Sequence, residues 1–172
     1  VLPLIGDWIN QFKGQYITAI DTGTSMAMMD VIKNVTPYVI NINKHYPHTD
    51  PSFYTALSVY LCMETTIKHY LKKPMDQAVV AIQGMGKTGQ MIYQRLIEAG
   101  CKVYYTDICR DHIQHLSFID PAYWVEPDQI HTVACDVFAP CALAHSIAQQ
   151  YVDQLQCKAI VGSANNQVDH LD

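Results

Sequence analysis

The sequence predicts an α/β fold built on a doubly wound parallel sheet, and three observations predict it. From Ala78 onward, apolar runs of strand length alternate with stretches of helical periodicity, an order that sets helices between parallel strands with right-handed crossovers. The run Ala78–Gln83 leads straight into Gly84-Met85-Gly86-Lys87-Thr88-Gly89 and then into a helical pattern. The chain has 172 residues, 49% of them apolar, enough for one sizeable core but cramped for two full domains.

Taken in order, the first element reads as a helix, because Leu4, Ile5, Trp8, Ile9 and Phe12 recur on one face. The sequence starts at Val1, already inside that pattern, so a preceding segment is expected. Gln15–Ile20 reads as a short strand ending at Asp21, followed by Thr22-Gly23-Thr24. A second helix, capped by Thr24 or Ser25, carries Met26, Met29, Ile32 and Lys33 and stops before Pro37. Trp8, Ile9 and the cluster Met26-Ala27-Met28-Met29 read either as core or as an exposed patch.

The polar stretch Asn41–Asp50 is the expected boundary, dividing the chain into 1–45 and 46–172. Asp50-Pro51 then opens a long helix over Ser52–Leu71, which Pro74 ends. Beyond it come a strand at Ala78–Gln83, a helix at Lys87–Ala99, a strand at Lys102–Asp107 and a helical stretch near Arg110–Leu116. Further strands are expected at Thr132–Phe138 and Ala159–Val161, with a helix at Leu143–Leu155 between them.

Composition excludes several classes. The net charge of −5 is spread along the chain, which argues against nucleic acid or anionic lipid as a partner. No apolar run approaches the ~18 residues that cross a bilayer, and Val1–Asp7 lacks the basic flank of a signal peptide. The six cysteines include no C-x-x-C pair and lie mostly in apolar stretches, which suits reduced thiols in a cytoplasmic protein better than disulfides or a metal site. His45 and His48, the nearest to a ligand pair, read as a surface loop. Asp136, inside an apolar run, reads as a hydrogen-bonded structural carboxylate.

The chemistry is carried by the glycine run. Gly84 permits a tight turn, Gly86 lets backbone approach a pyrophosphate, and Gly89 lets helix and strand pack closely. Free N–H groups at the helix start favour phosphate. The next strand ends in Asp107, eighteen residues beyond Gly89, where a carboxylate accepts ribose hydroxyls and repels a 2′-phosphate. The pattern is Rossmann-like and favours NAD over NADP, with Arg110 close enough in sequence to temper the preference. The competing reading is a turn with no ligand.

Three further stretches carry a resemblance: Tyr16–Thr24 with Met29-Asp30-Val31-Ile32, then Asp136–Leu143, then Gly162-Ser163-Ala164-Asn165-Asn166-Gln167. With Pro51-Ser52 and Thr55-Ala56, they resemble the Glu/Leu/Phe/Val dehydrogenase family, closest to its leucine, valine and phenylalanine branch. The resemblance implies NAD-dependent oxidative deamination of an apolar L-amino acid to a 2-oxo acid and ammonia. Asp21 then resembles the catalytic acid/base, and Thr55 and Asn165 resemble residues beside the nicotinamide. Ala139-Pro140 is similar to backbone lining the cofactor cleft, and Gly84, Met85, Gly86, Lys87, Thr88, Gly89 and Asp107 complete the cofactor set. From local sequence alone, Asp21, Asn165 and Asn166 read as turn formers, and only the resemblance reverses that.

The family also uses two lysines on glycine-rich segments, and none precedes Asp21 here. Local departures are Ile20 before the aspartate, Phe53-Tyr54 and Ala144-His145. The chain is therefore expected to be an internal segment: residues 1–45 as a remnant of the substrate domain, 46–172 as an incomplete NAD domain, inactive alone and homo-oligomeric when whole. The alternative is a non-catalytic nucleotide-binding or regulatory protein.

Overall fold

The Asp50-Pro51 step that opens a helix also lies at a divide between two units. In the computed structural model residues 1–40 and 50–168 are described, and they form the units Val1–Pro51 and Ser52–Asp172. His45 and His48, with most of the expected boundary, lie outside the described residues. Among those described, no helix is long and apolar enough to cross a membrane.

The first unit contains α1 (Leu2–Gln11) and α2 (Met26–Lys33). Ser25, not Thr24, caps α2, its Oγ accepting from Met28 N at 3.3 Å. Ile9, Met29, Ile32 and Val39 form the core, with Leu2, Ile20 and Tyr38 against it. Of the apolar stripe on α1, Ile9 turns inward while Trp8 and Phe12 stay outside, edge to face at 5.6 Å. The expected strand Gln15–Ile20 reduces, among the described residues, to one parallel bridge, Thr18 to Val39. Thr18 N donates to Tyr38 O and Ile40 N to Thr18 O. Pro37, having no N–H, cannot donate to a ladder on the amino side of that bridge.

The second unit opens with α3 (Pro51–Thr65), which runs into a π-helical turn, Thr66–Tyr70. The expected long helix is present, but its last turn widens, with Leu71 N bonding Thr66 O. Then follow β1 (Val79–Gln83), α4 (Lys87–Glu98), β2 (Lys102–Thr106), β3 (Cys135–Pro140), the short α5 (Gln149–Val152) and β4 (Cys157–Ile160). All pairings are parallel, in the order β2-β1-β3-β4. The chain moves outward from β1 to β2, then returns to lie on the other side of β1 as β3. The order therefore reverses between β1 and β3, the place where open α/β sheets form a crevice at their carboxyl ends.

The sheet packs through Val80, Ile82, Val103, Tyr105, Val137 and Ala139 against Met63, Ile67, Ile92 and Leu96 of α3, the π turn and α4. At its amino end, Asp136 is buried and accepts from Lys73 Nζ at 2.6 Å, Lys158 Nζ at 2.8 Å and Val79 N at 2.9 Å. Burial pushes its pKa up, but the Lys158, Lys73 and Val79 hydrogen bonds outweigh that and hold it at about 2. This is the structural carboxylate expected.

Three elements depart from expectation. Of the expected helix Leu143–Leu155 only the short α5, Gln149–Val152, is helical. His145 sits at φ 61°, and His145 N and Ile147 N bond Asn166 O and Gln167 O, so a helical propensity yields to pairing with a distant segment. Arg110–Leu116 keeps only a 3-10 turn at Arg110–His112. The expected strand at Thr132–Phe138 starts later, because Ile130–Thr132 turns as 3-10 helix, and β3 extends through Pro140.

Candidate functional site

The turn from β1 into α4 lies at the sheet's reversal point, and each of its glycines has a distinct local reason. Gly84 adopts φ 100°, and a Cβ there would stand 2.7 Å from Ala142 N. Gly89 presses on the same turn: a Cβ would meet Gly84 O at 2.1 Å. Gly86, the N-cap of α4, has ordinary extended geometry and nothing within 4 Å of a would-be Cβ. Two glycines are thus required by packing, and the third faces open space where the first-turn N–H groups of α4 emerge.

Asp107 follows directly on β2. Its Oδ2 accepts from Met85 N at 2.8 Å and its Oδ1 from Cys109 N at 2.9 Å. Gly84 N bonds Thr106 O, and Gln90 Nε2 reaches back to Met85 O at 2.7 Å. The carboxylate therefore holds the loop, while each oxygen keeps acceptor capacity beyond its one backbone bond.

The other wall is built by β3 and β4. Ala139 and Pro140 are buried at the end of β3, in register with Ile82 and Gln83. Cys141 N donates to Gln83 O at 2.7 Å. The segment after β4 folds over the same end, Ala164 N bonding Pro140 O, and places exposed Asn165 next in the chain. Burial raises the Cys141 thiol pKa, with a hydrogen bond to Ser163 lowering it in part.

The structure thus brings together Gly84, Met85, Gly86, Lys87, Thr88, Gly89, Asp107, Ala139, Pro140 and the segment bearing Asn165. Thr55 stands exposed on the opening turns of α3, where Phe53 lies under the Arg95 guanidinium of α4 at 5.0 Å. Asp21 belongs to the first unit and is exposed there in a tight turn. Thr22 N donates to its Oδ1 at 2.7 Å, and Thr24 Oγ1 accepts from Asp21 N at 2.7 Å.

Sequence reasoning gave no role to three residues at this end of the sheet. Gln83 Oε1 and Thr106 Oγ1, on register partners of β1 and β2, are buried with no hydrogen-bond partner among the described residues. Their signal was a polar residue closing each of two apolar strands. A Cβ on Gly162 would meet Pro140 O at 2.2 Å, and its signal was a glycine directly after a strand. No group of three or more potential metal ligands occurs among the described residues.

No family model matches the chain. Leucine dehydrogenase of Geobacillus stearothermophilus is 38% identical to it over 165 residues, 95% of this chain and 45% of that protein. Phenylalanine dehydrogenase of Thermoactinomyces intermedius is 32% identical over 169 residues, 96% of this chain and 46% of that protein. The chain is a homologue of these amino-acid dehydrogenases. The crystal structure of L-tryptophan dehydrogenase from Nostoc punctiforme superposes with a TM-score of 0.70 at 27% identity, covering 98% of this chain and 48% of that one. The chain spans about half the length of the dehydrogenases it matches. Its parallel sheet is accordingly of the Rossmann type.

Proposed function

We propose that this chain binds NAD at the β1–α4 turn and supplies the cofactor-binding part of an NAD-dependent amino-acid dehydrogenase acting on an apolar L-amino acid. The observation that carries the reading is the Asp107–Met85 hydrogen bond, which ties a ribose-type carboxylate to a glycine loop at the sheet's reversal point. The residues present fit a dinucleotide. Gly86 leaves open space for a phosphate, and Lys87 brings a cation to the positive end of α4, an arrangement that an anion stabilises. Gln83 and Thr106 keep unused polar atoms beneath the loop.

When bound, NAD supplies a nicotinamide that accepts hydride from the substrate's α-carbon. The chain's own residues position and exchange protons. Asp107 accepts the ribose hydroxyls through the acceptor capacity left beside its backbone bonds, and its charge disfavours a 2′-phosphate. First-turn N–H groups of α4 hold the pyrophosphate. Thr55 holds the carboxamide, Asn165 stands beside the nicotinamide and substrate, Ala139-Pro140 line the cleft, and Asp21 takes and returns protons at its carboxylate. Domains 1–45 and 46–172 correspond to substrate-side and cofactor-side parts of a homo-oligomeric, cytoplasmic enzyme, and the small-molecule partner is the amino acid.

Calorimetric titration of this chain with NAD and NADP tests the reading. NAD is expected to bind more tightly, and absence of heat from both would overturn it. A non-catalytic nucleotide-binding role is favoured by one observation, the use of Asp21 Oδ1 as a local turn acceptor. Asp21→Asn keeps that acceptor and removes the charge. Deamination unaffected by it, in a chain carrying the whole enzyme, would remove the proton-transfer role from Asp21, whereas nucleotide binding with no deamination by the unsubstituted whole chain would select the non-catalytic role.

A further inference from the structure

Two of the six free cysteines face one another across the sheet. Cys135 opens β3, Cys157 opens β4, and they are register partners in a parallel pair. Partners in register project to the same face, and neighbouring strands run about 4.8 Å apart. That separation lies inside the Cα range of roughly 4.4–6.8 Å that disulfides span. Both side chains belong to one apolar cluster with Phe138, Ile130 and Ile147. Their access differs: Cys135 is buried, whereas Cys157 is partly exposed. β4 is the outermost strand of the described sheet, so its backbone is the freer of the two to adjust.

We propose that Cys135 and Cys157 form a thiol–disulfide exchange site, which a small-molecule disulfide such as oxidised glutathione converts into a bond joining β3 to β4. Cys157, as the reachable thiol, attacks first: its sulfur bonds one glutathione sulfur, the glutathione S–S bond breaks, and one glutathione thiolate leaves. Cys135 then gives up its proton and attacks the Cys157 sulfur, expelling the second glutathione as thiolate. The two protons lost by the protein end on the two glutathione thiols. The protein has been oxidised by two electrons and one glutathione disulfide reduced.

The second step is the slow one. Burial first, and then the neighbouring Cys157, push the Cys135 thiol up to about 12, so its thiolate is scarce near neutrality and closure speeds up as pH rises. The bond would fix the start of β4 against β3, and the residues after β4 are those that fold over Pro140. The proposal does not depend on which nucleotide the loop binds.

The test incubates the full chain with oxidised glutathione under native conditions, followed by peptide mass mapping. The wild type is expected to gain a Cys135–Cys157 disulfide, to melt several degrees higher, and to revert with dithiothreitol. Cys135→Ala should trap glutathione on Cys157, and Cys157→Ala should leave Cys135 reduced. Exposed Cys62 serves as the internal standard, taking glutathione in every variant. A wild-type map in which Cys62 is modified while Cys135 and Cys157 stay reduced overturns the proposal. So does a Cys135→Ala chain with a native circular dichroism spectrum and no adduct on Cys157. If either variant does not fold, the wild-type map decides alone.

Discussion

Met85 donates its backbone N–H to the Asp107 carboxylate at 2.8 Å, so the residue that follows β2 also sets the shape of the loop that follows β1. In the proposed function this bond couples the recognition of a ribose to the placement of the N–H groups that meet a phosphate. Removing the carboxylate therefore acts twice, on affinity and on selectivity.

Asp107→Ala is expected to weaken NAD binding by roughly 10- to 100-fold, the range for losing hydrogen bonds to a charged group. NADP should lose less, because the repulsion of its 2′-phosphate disappears as well. Titration calorimetry with both nucleotides reads the ratio, and an unchanged preference removes the ribose role from Asp107.

Gly86 and Gly89 should separate binding from folding. Gly86→Val enters open space at an ordinary extended backbone, so stability should fall by no more than about 1 kcal/mol while nucleotide affinity collapses. Gly89→Ala drives a methyl group into Gly84 O and should cost about 3 kcal/mol in urea denaturation. Equal NAD binding by wild type and Gly86→Val would count against the loop as the phosphate site.

Acid unfolding should report on Asp136. Its pKa drops from 3.8 to about 2 on folding, so the folded state gains stability above pH 4 and loses it as pH falls from about 4 toward 2. The contribution is about 2 kcal/mol, from 1.36 kcal/mol per unit. In Asp136→Asn the stability-against-pH curve should flatten over that window, as followed by urea midpoints at successive pH values. Lys73→Met should cost more than Lys158→Met, because the Lys73 side chain is 28% exposed against 62%.

Thr106→Val replaces a buried hydroxyl that has no partner among the described residues with a methyl group of the same shape. Stability should stay level or rise by about 1 kcal/mol in thermal denaturation. A clear loss would mean that the hydroxyl is held by something beyond the described residues.

The run from β1 through α4 to β2 was legible because three local signals agree there: a strand apolar up to Gln83, glycines at the turn, and a helix with Ile92 and Leu96 on one face. Asp107 was legible from its position at a strand end. Its bond to Met85 was not, since that depends on how two turns twenty-two residues apart come to face each other. The segment after Pro140 misled because Leu143, Ala144 and Ile147 favour a helix locally, whereas the backbone of His145 and Ile147 is claimed by residues 166 and 167. Asp21 shows the opposite limit: its turn was readable, but local sequence is the same whether a turn carboxylate also moves protons.

The charged triad of Lys73, Asp136 and Lys158 sits at the amino ends of the strands, and the glycine loop at their carboxyl ends. With the proposed function, robustness and recognition occupy opposite rims of one sheet. Substitutions that retune the ligand rim should leave the anchoring rim intact, which gives such a scaffold room to change what it recognises without first losing its fold.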